Sequence, residues 1–125
     1  MAKQYCYRSL LICLFVAVAF YSCDEVFEQD ISKELVVLVA PSDSVVSADS
    51  VQKFAWEHIK SLADYQLQIV SPRFDSIITL YVDSITAGNL VEVALKGKKA
   101  YQWRVRAVNS SYIGKYSNPR TLIIQ

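Results

Sequence analysis

The chain has 125 residues, with 13 basic and 12 acidic side chains and a formal net charge of +1. This near-balance argues against the extended basic surface of a nucleic-acid-binding protein, so we expect no nucleic-acid partner. The chain has one histidine and three cysteines, too few for a plausible zinc site with four protein ligands once two of the cysteines are assigned to an N-terminal signal. We predict no metal site.

The first predicted element is an N-terminal signal helix over residues 1–22. Lys3 and Arg8 lead into an apolar run from Leu10 to Tyr21, and Ser22 comes just before Cys23. The run is about a dozen residues long, whereas crossing the hydrocarbon layer takes about 20. This order is similar to that of a bacterial lipoprotein signal peptide. An ordinary secretory peptide and an uncleaved anchor remain the alternatives.

The lipoprotein resemblance implies that Cys23 becomes the lipidated N-terminus, with a diacylglyceryl group on its thiol and an acyl chain on its amine. We expect no other cofactor. Removal of Lys3 and Arg8 with the signal leaves 13 − 2 = 11 basic against 12 acidic residues, a net charge of −1. The pair Asp24 and Glu25 resembles lipoprotein sorting signals. It favours the outer membrane and leaves open whether the surface or the periplasmic face carries the protein.

Residues 23–34 are predicted to be the lipidated cysteine and an acidic tether. Residues 24–34 contain five acidic side chains and one basic one, as in a solvated spacer. Three apolar residues leave open that the tether docks on the domain: Val26, Phe27 and Ile31.

Residues 35–125 are predicted to form one all-β domain, a seven-stranded antiparallel β-sandwich. Apolar and polar residues alternate in several short runs, and the three glycines fall between the runs. The predicted strands cover residues 35–39, 51–57, 65–69, 76–82, 90–95, 101–107 and 121–124. The helix-compatible piece, residues 57–63, is short enough to be a loop.

Three features of this region resemble a fibronectin type III domain, which is immunoglobulin-like. Trp56 lies on the second predicted strand, Leu95 and Tyr101 have the spacing of a tyrosine corner, and residues 101–109 are similar to the family's sixth strand. The resemblance implies that the Tyr101 hydroxyl bonds to upstream backbone. It also implies a core that contains Trp56, Tyr101, Trp103, Leu67, Val93 and Val105.

The sequence carries no recognisable catalytic motif, so we predict a non-enzymatic protein with no catalytic residues. His58 is the only histidine and lies in a predicted loop, and no glycine pattern of a nucleophile elbow is present. A glutamine and arginine face is expected on neighbouring strands, either as a plain solvated surface or as a site for acidic glycans: Gln66, Gln68, Gln102, Arg104 and Arg106.

A candidate partner surface lies in residues 76–83. This run is apolar on both faces, with Ile77 and Tyr81 on one side and Ile78, Leu80 and Val82 on the other. A sandwich strand needs only one apolar face, so the other can stay exposed and dock a partner. The alternatives are that the strand twists and buries both sets, or that a loop or the Phe27 tether covers it. Tyr112 and Tyr116, in a later loop, either extend this surface or pack back under the sandwich.

Two functions follow from these patterns. The first is a non-catalytic, membrane-anchored lipoprotein whose β-sandwich acts as a protein-interaction or accessory module of an outer-membrane assembly. The second is a glycan-binding accessory lipoprotein of a polysaccharide-uptake system. Sugar sites usually present an exposed aromatic platform, and both tryptophans are expected to be buried, which favours the first.

Overall fold

Eight strands form in residues 28–125, the part of the chain that this computed structural model describes. The predicted signal segment and the Cys23–Glu25 site lie outside these residues. Among the residues described, no helix has the length and apolar character needed to cross a membrane. The strands are β1 (Leu38–Ala40), β2 (Val45–Ser47), β3 (Val51–Trp56), β4 (Asp64–Arg73), β5 (Ser76–Thr86), β6 (Leu90–Ala94), β7 (Ala100–Val108) and β8 (Arg120–Ile124).

The strands assemble into two sheets. The smaller sheet has the order β1-β3-β6, and the larger has the order β2-β8-β7-β4-β5. The prediction of an all-β fold is confirmed, but β2 is an additional strand and pairs with β8 in parallel. Sequence reasoning missed β2 because three residues are too few to display a period of two. The pairing follows a turn in which Ser44 has a φ of 61° and its N–H donates to the Thr121 carbonyl at 2.8 Å.

The core lies between the sheets and is lined by alternate residues of the long strands. Tyr65, Leu67 and Ile69 of β4 are buried, as are the four alternate residues of β7 from Tyr101 to Ala107. Trp56 and Phe54 of β3 pack against them, and the rings of Phe54 and Trp103 meet edge to face at 5.1 Å. The predicted core is confirmed, except that Val93 is only partly buried.

The tyrosine corner forms as predicted. The Tyr101 hydroxyl donates to the carbonyl of Lys96, and the turn between them contains Gly97 with a φ of 75°. Burial, together with a hydrogen bond to Tyr81, raises the pKa of Tyr101 to about 12. The ring therefore packs in the core while its one polar atom remains hydrogen-bonded.

The described part of the acidic segment, residues 28–34, packs onto the sandwich. Ile31 is fully buried in the core. The Ile31 carbonyl lies close to Gly114. A Cβ added to Gly114 would stand 3.2 Å from the Ile31 carbonyl oxygen and 2.9 Å from the Ala107 carbonyl oxygen. The docking that the sequence left open for Ile31 therefore occurs, and packed chain begins before residue 35. Val26 and Phe27 lie outside the described residues.

Candidate functional site

Strand β5 is the free edge of the larger sheet. It is 11 residues long and comes last in the sheet order, so β4 is its only neighbour among the described strands. A long edge strand presents unpaired backbone N–H and C=O groups to any approaching chain. This position makes β5 the candidate docking element.

Two bulges interrupt β5. Val82 pairs with Ile69 of β4 and Leu80 pairs with Val70, so Tyr81 has no partner on β4. At the second bulge Ile78 is the residue without a partner. A bulge shifts the alternation of side chains by one residue. The strict two-faced pattern expected from the sequence is therefore broken, and neighbouring Tyr81 and Val82 both pack against the core.

The bulges divide the predicted partner surface into a packed part and an exposed part. Tyr81 is half-buried and meets the ring of Tyr101 edge to face at 5.3 Å. By contrast, Ile78 is 83% exposed and Leu80 is 53% exposed. The exposed set, called the β5 patch below, consists of Ile77, Ile78, Leu80 and Ile85. Sequence reasoning missed Ile85 because it ended the strand too early.

Tyr116 belongs to a stack on the outer face of the larger sheet. The Arg104 guanidinium lies between the rings of Phe74 and Tyr116, 4.1 and 3.9 Å from their centroids, and Arg106 lies 4.3 Å from the Tyr116 ring. Burial raises the pKa of Tyr116, whereas the two arginines lower it. Tyr116 is thus engaged within the domain, against arginines of β7, which is two strands away from β5 in the sheet order.

The predicted glutamine and arginine face is confirmed in its register. Gln68 faces Arg104 across β4 and β7, and Gln66 faces Arg106. Both Nε and Nη2 of Arg104 donate to Oε1 of Gln68, at 3.0 and 2.8 Å, and Nε of Arg106 donates to Oε1 of Gln66 at 2.7 Å. These bonds and the aromatic stack occupy much of the face that is the candidate site for acidic glycans.

Tyr112 lies in the loop between β7 and β8, at one end of the sandwich. This end carries an open groove of about 910 Å³. The groove is lined by the loop before β4, by the β7–β8 loop, by the first described residues and by parts of β4, β5 and β7, including Glu28, Lys60, Leu62, Ile85, Arg106 and Ile113. The β5 patch reaches this groove through Ile85, whereas Tyr116 packs against the arginines of β7.

The described residues bring no catalytic constellation together. His58 is exposed, and its Nδ1 lies 3.2 Å from the Tyr65 hydroxyl, which also accepts the Ile59 N–H at 2.9 Å. Within residues 28–125 no three His, Cys, Asp or Glu side chains are grouped to hold a metal ion. The non-enzymatic role and the lack of a cofactor stay predictions.

Comparison with known proteins identifies the architecture. Rat CD45 extracellular domains d3–d4 match with a TM-score of 0.56 and 15% identity, over 74% of this chain and 51% of that one. Chicken CNTN1 domains FN1–FN3 match with a TM-score of 0.59 and 20% identity, over 78% and 33%. The sixth fibronectin type III domain of human fibronectin type III domain containing protein 3 matches with a TM-score of 0.50 and 15% identity, over 80% and 89%.

The fold is fibronectin type III-like. This chain spans about half of the CD45 structure and a third of the CNTN1 structure. No protein-family model and no curated protein match its sequence. At these identities the likeness concerns the fold alone.

Proposed function

We propose that this protein is a lipid-anchored, non-catalytic module of the bacterial outer membrane that docks a protein of the cell envelope through the β5 patch. The anchor is the diacylglyceryl and acyl groups on Cys23, with Asp24 and Glu25 as the sorting signal. The single observation that carries the docking role is the β5 patch itself, four aliphatic side chains exposed along one free edge strand.

The chemistry of the patch favours a protein partner. Aliphatic side chains gain free energy when they leave water, whereas a sugar is usually bound by an exposed aromatic ring and directional polar groups. Trp56 and Trp103 are both fully buried in the core. Neither tryptophan therefore provides the exposed aromatic platform that the glycan-binding alternative requires.

The bulges favour docking by side chains over simple addition of a strand. Natural edge strands use bulges to disturb the regular ladder that another chain needs for pairing. In β5 the two bulges coincide with Ile78 and Tyr81, in the middle of the patch. We infer that the partner covers the aliphatic side chains and that backbone pairing is secondary.

The test is co-purification from detergent-solubilised membranes. Leu80→Asp places a charge in the β5 patch, and Val46→Asp places the same charge on β2 at the opposite edge of the same sheet. The two native side chains are 53% and 50% exposed, so the variants are closely matched. Thermal melts first establish that both variants fold. We expect the partner to be lost from Leu80→Asp and retained by Val46→Asp; equal retention by both would overturn the proposed docking surface.

A further inference from the structure

The described chain starts in firm contact with the loop between β7 and β8. The side-chain amide of Asn109 donates to the Gln29 carbonyl, and the Ser111 N–H donates to the Glu28 carboxylate, both at 3.0 Å. Hydrogen bonds from Ser110 and Ser111 lower the pKa of Glu28. Together with the buried Ile31, these contacts fix the start of the packed chain at one end of the sandwich, called the entry pole below.

The covalent chain limits how far Cys23 lies from the entry pole. Cys23 comes five residues before Glu28. A fully extended chain spans at most about 3.6 Å per residue, so the two Cα atoms are separated by no more than about 18 Å. By the same measure β5, with 11 residues, is about 36 Å long. A lipid on Cys23 would therefore keep Glu28, at the entry pole, within about 18 Å of the membrane.

The loops at the entry pole carry apolar tips. Leu62, before β4, is 95% exposed, Ile113 is 59% exposed, and Tyr112 is exposed beside it. Leu62 and Ile113 line the same groove as Glu28 and Gln29, which places these tips where the chain enters. Lys60 lines this groove as well. Aliphatic side chains, a tyrosine and a nearby lysine are typical of protein surfaces that meet the membrane interface.

The opposite pole has a different character. The turn between β4 and β5 carries the exposed ion pair of Arg73 and Asp75, 3.4 Å apart. The corner turn before β7 carries three exposed lysines and no large exposed apolar side chain: Lys96, Lys98 and Lys99. The entry pole thus carries apolar loop tips, whereas the exposed aliphatic side chains near the opposite pole, Ile77 and Ile78, belong to strand β5.

We propose that the entry pole rests on the lipid bilayer in which the lipid groups of Cys23 are anchored, with Leu62, Tyr112 and Ile113 inserted at the boundary between the headgroups and the acyl chains. This inference rests on the lipid anchor of the proposed function. Glu28 and Asp64 also line the groove. Their charges oppose attraction to an anionic surface, so the apolar tips and not net charge carry the contact.

This orientation deepens the proposed function because it positions the β5 patch. Ile85 is paired with Gln66, which lines the groove at the entry pole, whereas Ile77 is paired with Pro72 near the opposite pole. The eight residue steps from Ile77 to Ile85 correspond to about 26 Å along the strand. The patch therefore rises from the membrane surface, and a partner reaches it from the side.

The test uses the full mature protein, with its lipid groups, reconstituted into vesicles of phosphatidylethanolamine and phosphatidylglycerol that contain a phosphatidylcholine with brominated acyl chains. Tyr112→Trp provides a reporter at the entry pole, and Ile78→Trp provides the control on the β5 patch. The native tryptophans Trp56 and Trp103 are buried and supply a constant background. Bromine quenches only a tryptophan that it contacts.

We expect the added emission of Tyr112→Trp to shift to the blue and to fall by about half, because an indole ring at this pole enters the interfacial layer. The control emission stays unchanged. Adding Leu62→Asp to Tyr112→Trp restores the emission; Leu62 is almost fully exposed, so this change leaves the fold intact.

Two outcomes separate the orientation from the anchor. Unquenched emission of the Tyr112→Trp variant, in protein whose acylated Cys23 is confirmed by mass spectrometry, overturns the orientation alone. This is also the result expected if the apolar tips serve a protein partner instead of the bilayer. The absence of acyl groups at Cys23 overturns the anchor as well.

Discussion

The strongest structural prediction concerns Ile31, which lies upstream of the strands yet is fully buried in the core. Replacing it with alanine removes three carbon atoms from the interior. At about 0.8 kcal/mol per buried carbon, the lost transfer free energy is roughly 2.4 kcal/mol, and a residual cavity adds to it. For a domain of this size, that lowers the melting temperature by about 10–20 °C.

The assay is thermal and urea denaturation followed by tryptophan fluorescence. We expect Ile31→Ala to lower the urea midpoint with little change in the slope of unfolding free energy against urea, because the folded surface changes little. Ile113→Ala is the matched control. Ile113 is mostly exposed, so its free energy of unfolding should change by no more than about 0.5 kcal/mol. If Ile31→Ala unfolded like the native protein, residues 28–34 would not belong to the folded unit, and the short connection to Cys23 would be refuted with them.

Four further predictions address the anchor, the arginine stack, the tyrosine corner and the close approach at Gly114. Cys23→Ala should move the protein out of the membrane fraction, or block its processing, in cell fractionation; normal membrane retention without lipid would refute the anchor. Arg104→Lys should lower the free energy of unfolding, measured by urea titration, by about 1–2 kcal/mol, because the variant loses the paired bonds to Gln68 and the stacking on Tyr116. Arg73 forms only an exposed ion pair with Asp75, so the control Arg73→Lys should leave the free energy of unfolding unchanged. The folded-state pKa of Tyr101, raised to about 12, exceeds its ordinary value of 10, so its contribution to stability is complete below pH 10 and is lost as the pH rises toward 12; Tyr101→Phe should flatten that decline in alkaline denaturation curves while lowering stability by about 1 kcal/mol at pH 7. Gly114→Ala should lower the melting temperature, because its Cβ would stand 2.9 Å from the Ala107 carbonyl; an unchanged melt would show that the loop yields freely.

The sequence by itself determined the class of the fold and most of its core. The alternation in β4 and β7 records which residues face inward, because side chains of a strand point to opposite faces with a period of two. Trp56 and the Leu95–Tyr101 corner were recognisable for the same reason, since their signals lie within a few neighbouring residues. The sequence also predicted exposed aliphatic side chains within residues 77–80, because this run has too many apolar side chains for one buried face.

Tertiary structure alone decided the features that depend on distant contacts. Strand β2 exists because β8, more than 70 residues later in the chain, offers it a parallel partner. Ile31 is buried because the β7–β8 loop meets it, and Tyr81 turns inward because a bulge against β4 shifts the alternation. Each of these depends on a pairing or a packing contact between residues far apart in sequence. A local pattern records the preference of a segment, whereas the free energy of such contacts is fixed only when the whole chain has folded.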